Sequence, residues 1–163
     1  TGKSFVAPWQ GGFGTTLTWK GISLAAQFSW VADRWVFNND RYLDEGNGLF
    51  ETYNQSSRLL YDRWKKPGDV TDIPRYGVTP QMDSRFLEDA SFLRLKNLML
   101  SYNFPQTLLK KTNFLTHLRV FAQGQNLLTF TKFSGLDPEG VSNMYQAQYP
   151  STRQFTFGLE VSF

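Results

Sequence analysis

RQFTFGLEVSF, residues 153–163, alternates with a period of two. Phe155, Phe157, Leu159, Val161 and Phe163 are apolar, and the intervening Thr156, Gly158, Glu160 and Ser162 are small or polar. Successive side chains of a β-strand point to opposite faces, so this stretch is a strand with one apolar face. The same pattern recurs upstream. Phe13, Thr15, Leu17 and Trp19 precede Lys20-Gly21, and Ile22, Leu24, Ala26, Phe28 and Trp30 follow it. A two-residue turn places Trp19 opposite Ile22, both on the apolar phase, which predicts a hairpin in register. Leu98, Leu100, Tyr102 and Phe104 form a further strand, with Leu93 and Leu95 on the opposite phase. A one-residue shift near Lys96-Asn97 predicts a bulge. Leu118, Val120, Ala122 and Gly124 mark another strand, with Asn126 an exception on its apolar phase.

The expected strands are therefore about 12–19, 22–31, 91–104, 117–130 and 153–163, and the fold class is all-β and antiparallel. Between them, residues 32–89 and 131–152 read as long loops and 106–116 as a short connector. Leu49, Tyr53, Leu60 and Trp64 share a helical stripe, which predicts a short helix over about 48–65, ended by Pro67-Gly68. Asn38, Asn39, Asp40, Asp44, Glu45, Gly46 and Asn47 read as a polar loop.

Alternating long and short connections, with strands of about 9–11 residues, suit a transmembrane β-barrel. Aromatic residues make up 17% of the 163 residues, enough to furnish a core or lipid-facing girdles. A mean hydropathy of −0.40 and the lack of any long apolar run argue against membrane helices but do not bear on a barrel. Five strands are too few to close such a barrel, and the sequence does not begin with Met, so a segment of a larger barrel is expected. A soluble β-sandwich, as in a carbohydrate-binding module, would bury the same faces and stays open as the alternative.

Chemistry is sparse. There is one histidine, His117, and no cysteine. No nucleophile motif or phosphate-cradling glycine loop is present, so no catalytic residues and no enzyme activity are expected. The basic residues are scattered despite a net charge of +3, which speaks against nucleic acid. Asp40, Asp44 and Glu45 are a conceivable calcium set, but their spacing is not that of an EF-hand; no cofactor or metal centre is otherwise expected. The aromatic residues of the long loops, above all Trp35, Tyr42 and Tyr145, are the candidates for binding cargo or a partner by stacking.

Several segments resemble the SusC/RagA family of TonB-dependent outer-membrane transporters of Bacteroidetes. Asp89-Ala-Ser-Phe-Leu-Arg-Leu-Lys-Asn-Leu98 running into Leu100-Ser-Tyr-Asn-Phe-Pro105 is similar to the family's third-last strand. Arg119-Val-Phe-Ala-Gln-Gly-Gln-Asn-Leu-Leu-Thr-Phe-Thr131 with Gly135-Leu-Asp-Pro-Glu139 resembles the next strand and its exit loop. Tyr149-Pro-Ser-Thr-Arg-Gln-Phe-Thr-Phe-Gly158 resembles the last strand, and Gly12-Phe-Gly-Thr-Thr-Leu-Thr-Trp-Lys-Gly21 the upstream hairpin. The resemblance implies the C-terminal part of a 22-stranded barrel that imports glycans or peptides. It also implies a SusD-like surface lipoprotein as lid, and TonB acting through an N-terminal plug region that has no counterpart in these residues. On that frame the short turns and the C-terminus would face the periplasm, and loops 32–89 and 131–152 the exterior. Phe155, Phe157, Leu159, Val161 and Phe163 would meet lipid, while Arg119, Gln123, Gln125 and Glu160 would face the lumen.

Overall fold

The computed structural model describes residues 1–50, 52–112 and 114–163. In chain order its elements are strands β1 (Trp9–Trp19), β2 (Ile22–Ala32) and β3 (Trp35–Asn38), helices α1 (Asn39–Asp44) and α2 (Arg58–Tyr61), strands β4 (Leu87–Asp89) and β5 (Phe92–Asn103), helix α3 (Gln106–Leu109), and strands β6 (His117–Thr131), β7 (Met144–Tyr145) and β8 (Gln154–Ser162). The chain divides into two units. One is made of residues 9–32, 92–131 and 150–163, the other of residues 1–8, 33–91 and 132–149.

The first unit is a five-stranded antiparallel sheet of order β1-β2-β5-β6-β8. The hairpin turn forms at Lys20-Gly21, where both residues have positive φ (47° and 87°), as a tight turn matched to strand twist requires. Gly21 is needed on a second count, because a Cβ there would lie 2.6 Å from the Asn103 carbonyl oxygen. The bulge near Lys96 is present: Leu95 pairs with Leu128 while Asn97 pairs with Gln125. The β2–β5 register shifts at the same place. Asn126 lies in this irregularity with φ of 52°, so the apparent exception on the apolar phase is a residue outside the regular pleat. The strand bounds differ from expectation by at most a few residues, β1 beginning at Trp9 and β8 ending at Ser162.

Cross-strand pairing sorts the side chains into two faces. Leu24 pairs with both Leu17 and Leu100, Leu100 with Ala122, and Ala122 with Phe157, so one face is a continuous apolar surface. Most of its rings are exposed, Phe157 to 79%. Trp9, Trp30 and Phe130 lie toward one end of this face, and Trp19 and Tyr102 toward the other. Strand β1 has 11 residues; at ~3.4 Å per residue and a ~45° tilt it projects to about 24 Å, close to the ~25 Å apolar band of a membrane barrel.

The opposite face holds a tight fit. A Cβ on Gly158 would come within 2.2 Å of the Phe121 ring, its cross-strand neighbour. The ring lies over the bare glycine backbone. Gly158→Ala is therefore expected to destabilise the strand pair by about 1–3 kcal/mol through overpacking. Pairing it with Phe121→Ala should recover most of that loss, measured as the heat-modifiability midpoint of the full-length barrel. Equal midpoints for wild type and G158A would remove the argument.

The second unit has a sheet and a core of its own, where long loops, one with a short helix, were expected over 32–89 and 131–152. Its sheet has order β4-β3-β7, with β3 antiparallel to β4 and parallel to β7. These strands have two to four residues, too short for a period of two to show in sequence. Val36, Ala90, Phe133 and Tyr145 form one core cluster, against which Phe5 packs. Phe86, fully buried, meets Tyr42 edge-on at 5.3 Å between ring centroids, and Phe37 at 5.9 Å.

The helix expected over 48–65 is a correction. Residue 51 lies outside the described residues, and within the rest only the single turn α2 is helical. The stripe does not bury: Leu49, Tyr53 and Leu60 are exposed, and Leu59 is the buried member of α2. The better helix, α1, falls where the polar run was read as loop. Asn38 is its N-cap, its side chain accepting the Arg41 N–H at 3.0 Å, and Asp40 sits in the first turn, where the helix dipole favours an anion. Further along, Asn47 is buried and donates to the carbonyls of Arg75 (2.7 Å) and Val78 (2.9 Å), which ties the polar run into the unit.

Candidate functional site

Helix α1 sets Arg41 and Glu45 one turn apart on one face, and Arg41 Nε donates to Glu45 Oε1 at 2.9 Å. The same guanidinium reaches Asp72 at 3.1 Å and Glu88 at 3.2 Å. Arg58, from α2, meets Glu45 Oε1 at 2.6 Å and Asp72 at 2.8 Å. Two guanidinium groups thus share two carboxylates, and Glu88 extends the network to Ser134, accepting its N–H at 3.0 Å and its hydroxyl at 2.7 Å. Glu45 is only 2% exposed, and among the described residues its second oxygen, Oε2, has no hydrogen-bond partner.

Burial alone would raise the Glu88 carboxyl, but the Ser134 backbone and hydroxyl, then Arg41, outweigh it and hold it below the ordinary value. Asp72 is likewise held low: burial raises it, and Arg58 more than compensates. Asp44 goes the other way, raised first by burial and then by Asp40 and Glu45. The lowered pair contributes stability that is present above the unfolded carboxylate values, about 4, and is lost as pH falls through the folded ones. Asp44 opposes this weakly, since its protonation relieves repulsion as pH falls. Hydrogen exchange of α1 amides, corrected for intrinsic rate, is expected to lose protection below about pH 4 in the full-length protein. Glu88→Gln should flatten that response, and an unchanged response would contradict it.

Arg41, Glu45, Arg58, Glu88 and Ser134 line a cleft of about 710 Å³ in the second unit, together with Asp40, Asp44, Ser56 and Tyr145. The three aromatic candidates have different settings. Tyr145 is 3% exposed and packs on Phe133 at 5.0 Å between centroids, so the stacking role expected for it is corrected: its ring is core, and its hydroxyl accepts the Leu136 N–H. Tyr42 packs among Phe37, Phe50 and Phe86. Trp35 is partly open, with Lys3 Nζ 3.5 Å over its ring and its indole N–H given to Asp33. Asp40, Asp44 and Glu45 do come together at the cleft. Among the described residues, however, no group of three or more His, Cys, Asp or Glu is placed to hold a metal ion. The sequence reading missed Arg41, Arg58 and Glu88. The Asn-capped Arg41–Glu45 spacing could have flagged the first; nothing local links Arg58 to Asp72.

On the sheet unit, Arg119, Gln123, Gln125 and Glu160 share the polar face, because Arg119 pairs with Glu160 and Gln123 with Thr156 in the β6–β8 register. Arg119 meets Glu160 at 3.2 Å, and Gln123 donates to Asn97 at 2.9 Å. Phe155, Phe157, Leu159 and Val161 occupy the other face; Phe163, just past β8, stacks on Phe114. The polar face, with its Arg119–Glu160 and Gln123–Asn97 pairs, has the lining of a wetted surface.

No family model matches the chain. It is 33% identical over 165 residues to TonB-dependent receptor P3 of Formosa agariphila, an alignment covering 93% of this chain and 16% of the receptor. It is 37% identical over 87 residues, 53% of the chain, to TonB-dependent receptor SusC of Bacteroides thetaiotaomicron. The RagAB peptide importer in its open-open state superposes with a TM-score of 0.91 at 42% identity, covering 99% of this chain and 18% of the importer chain. The chain thus spans about a sixth of the length of the curated relatives it matches. Identity and superposition both run along nearly its whole length, and the sheet carries the two-faced pattern of a barrel wall. The chain belongs to the SusC/RagA family of TonB-dependent transporters and is a segment of their outer-membrane β-barrel.

Proposed function

We propose that this chain forms the C-terminal wall and two outward-facing long-loop segments of a TonB-dependent importer, working with a SusD-like lipoprotein lid. The observation that carries this reading is the sheet with one exposed apolar face and one polar face bearing Arg119–Glu160 and Gln123–Asn97. Such a sheet suits a wall between lipid and an aqueous lumen. Phe155, Phe157, Leu159, Val161 and Phe163 then meet lipid; Arg119, Gln123, Gln125 and Glu160 line the lumen. The turn at Lys20-Gly21 and the C-terminus lie on the periplasmic side. TonB acts through the plug of the full-length protein. Of the two cargo classes, glycan and peptide, the 42% identity to a peptide importer supports peptide.

The test compares cells with and without the full-length transporter for uptake of fluorescent oligopeptides and of oligosaccharides, before and after an uncoupler. Peptide uptake that needs both the transporter and the proton gradient is expected. Oligosaccharide uptake alone would move the cargo to glycan. A protein found outside the outer-membrane fraction would overturn the whole reading.

A further inference from the structure

Arg63-Trp64-Lys65-Lys66-Pro67-Gly68-Asp69 makes a tight turn in the second unit. The Asp69 carboxylate accepts the backbone N–H groups of Lys65 at 2.9 Å and Lys66 at 3.0 Å, and Gly68 supplies a φ of 97°. The Trp64 N–H, given to the Ile73 carbonyl at 2.9 Å, ties the turn to a fully buried residue. The acids nearby are engaged elsewhere: Asp69 closes the turn, Asp62 lies 3.5 Å from Arg58, and Asp72 is held by Arg41 and Arg58. Among the described residues no carboxylate pairs with the side chains of Arg63, Lys65 or Lys66. Arg63 also joins two cavities. One is a cleft of about 740 Å³ lined by the Lys65-Lys66 turn, the other a pocket of about 440 Å³ whose apolar wall is Leu59, Leu60 and Tyr76. Among the described residues Arg63 alone lines both.

The chemistry of a fitting ligand follows from these neighbours. The Arg63 guanidinium is partly open to solvent and lies over the Tyr76 ring, 5.5 Å from its centroid. A guanidinium stacked on a ring presents its donors along the edge of its plane, in a fork that matches both oxygens of one carboxylate. Lys65 and Lys66 add positive potential around it, which favours an anion and repels a cation. The Leu60 and Tyr76 side chains are exposed, so the apolar wall is open to an incoming group. The pocket's volume is within the range of small-ligand sites. The last residue of a peptide carries the two complementary groups on one Cα, an α-carboxylate and a side chain. We propose that Arg63 and the adjoining pocket hold the C-terminal residue of an oligopeptide cargo, its carboxylate on the guanidinium and an apolar side chain against Leu59, Leu60 and Tyr76. The inference rests on the peptide reading given above.

The test uses the full-length transporter in detergent and four hexapeptides in calorimetry. They end in leucine or serine, each as the free acid or the amide. The leucine acid is expected to bind about tenfold more tightly than the leucine amide, the usual worth of a charge-assisted hydrogen bond. It should also bind about tenfold more tightly than the serine acid, through the buried apolar side chain. Arg63→Gln should abolish the preference for the acid and keep that for leucine. Leu60→Ser, at an exposed position that folding does not depend on, should do the reverse. Lys132→Gln, the same loss of charge outside both linings, should keep both preferences. Equal binding of acid and amide, or an acid preference that survives R63Q, overturns the carboxylate site and leaves a peptide importer intact. Equal binding of leucine and serine acids overturns the apolar pocket. Failure of every hexapeptide to bind overturns the peptide reading beneath both.

Discussion

Replacing Arg41 by methionine is expected to unravel the second unit's charge network and to cost about 3–5 kcal/mol, the usual penalty for removing one partner from a buried ionic group. Methionine keeps most of the side chain's apolar length, so the loss is electrostatic more than steric. Arg41 faces three carboxylates, on Glu45, Asp72 and Glu88. Without it Glu88 keeps only its hydrogen-bonded partners, and Glu45 depends on Arg58 alone. The bond from the guanidinium Nη1 of Arg41 to the Arg85 carbonyl at 3.2 Å, which ties α1 to the turn before β4, is also lost. Hydrogen exchange on the full-length protein should show residues 34–47 and 85–90 deprotected together while β5 and β6 stay protected. The comparison with Arg58→Met is informative. Arg58 is more exposed than Arg41, so screening by solvent should make its loss cheaper. Equal effects of the two substitutions would mean that burial does not set the strength of this network.

What could be read from sequence divides along the same line as the two units. In the sheet, β8 and the β1–β2 hairpin were legible because 9–11 residues of strict alternation leave no competing period. The bulge was legible because a phase slip at Lys96 reverses which residues are apolar. The second unit hid its order for physical reasons. Strands such as Trp35–Asn38 are shorter than any period that can be counted. The stripe of Leu49, Tyr53, Leu60 and Trp64 suggested one helix, yet apolar spacing says nothing of burial, and most of those side chains are exposed. Arg58 and Asp72 are joined by tertiary folding alone, 14 positions apart in the sequence. Tyr145 was misread for a related cause: an aromatic residue in a polar loop looks available until the loop is seen to have a core of its own.

Arginine in place of Phe157 should cost about 2–4 kcal/mol in the assembled barrel, whereas arginine at the adjacent Thr156 should cost little. The two positions share a strand, a backbone and nearly the same depth. They differ in face: Phe157 pairs with Ala122 on the apolar side, Thr156 with Gln123 on the polar side. In lipid a guanidinium at 157 must be stripped of water or drag water and headgroups toward it, and mid-strand it is far from either interface. At 156 it enters the neighbourhood of Gln123 and Asn97, where polar side chains already hydrogen-bond. The heat-modifiability midpoint and outer-membrane yield of the full-length transporter measure the difference directly. In a soluble sandwich the apolar face would be packed against a second sheet, and the 157 substitution would also be costly there, so that position alone does not discriminate. Conservative changes do: Phe157→Leu would leave a cavity in a close-packed core but not against fluid acyl chains, which fill the space. A barrel wall therefore predicts a large loss for F157R with almost none for F157L, and a loss in both would point to a packed core behind Phe157.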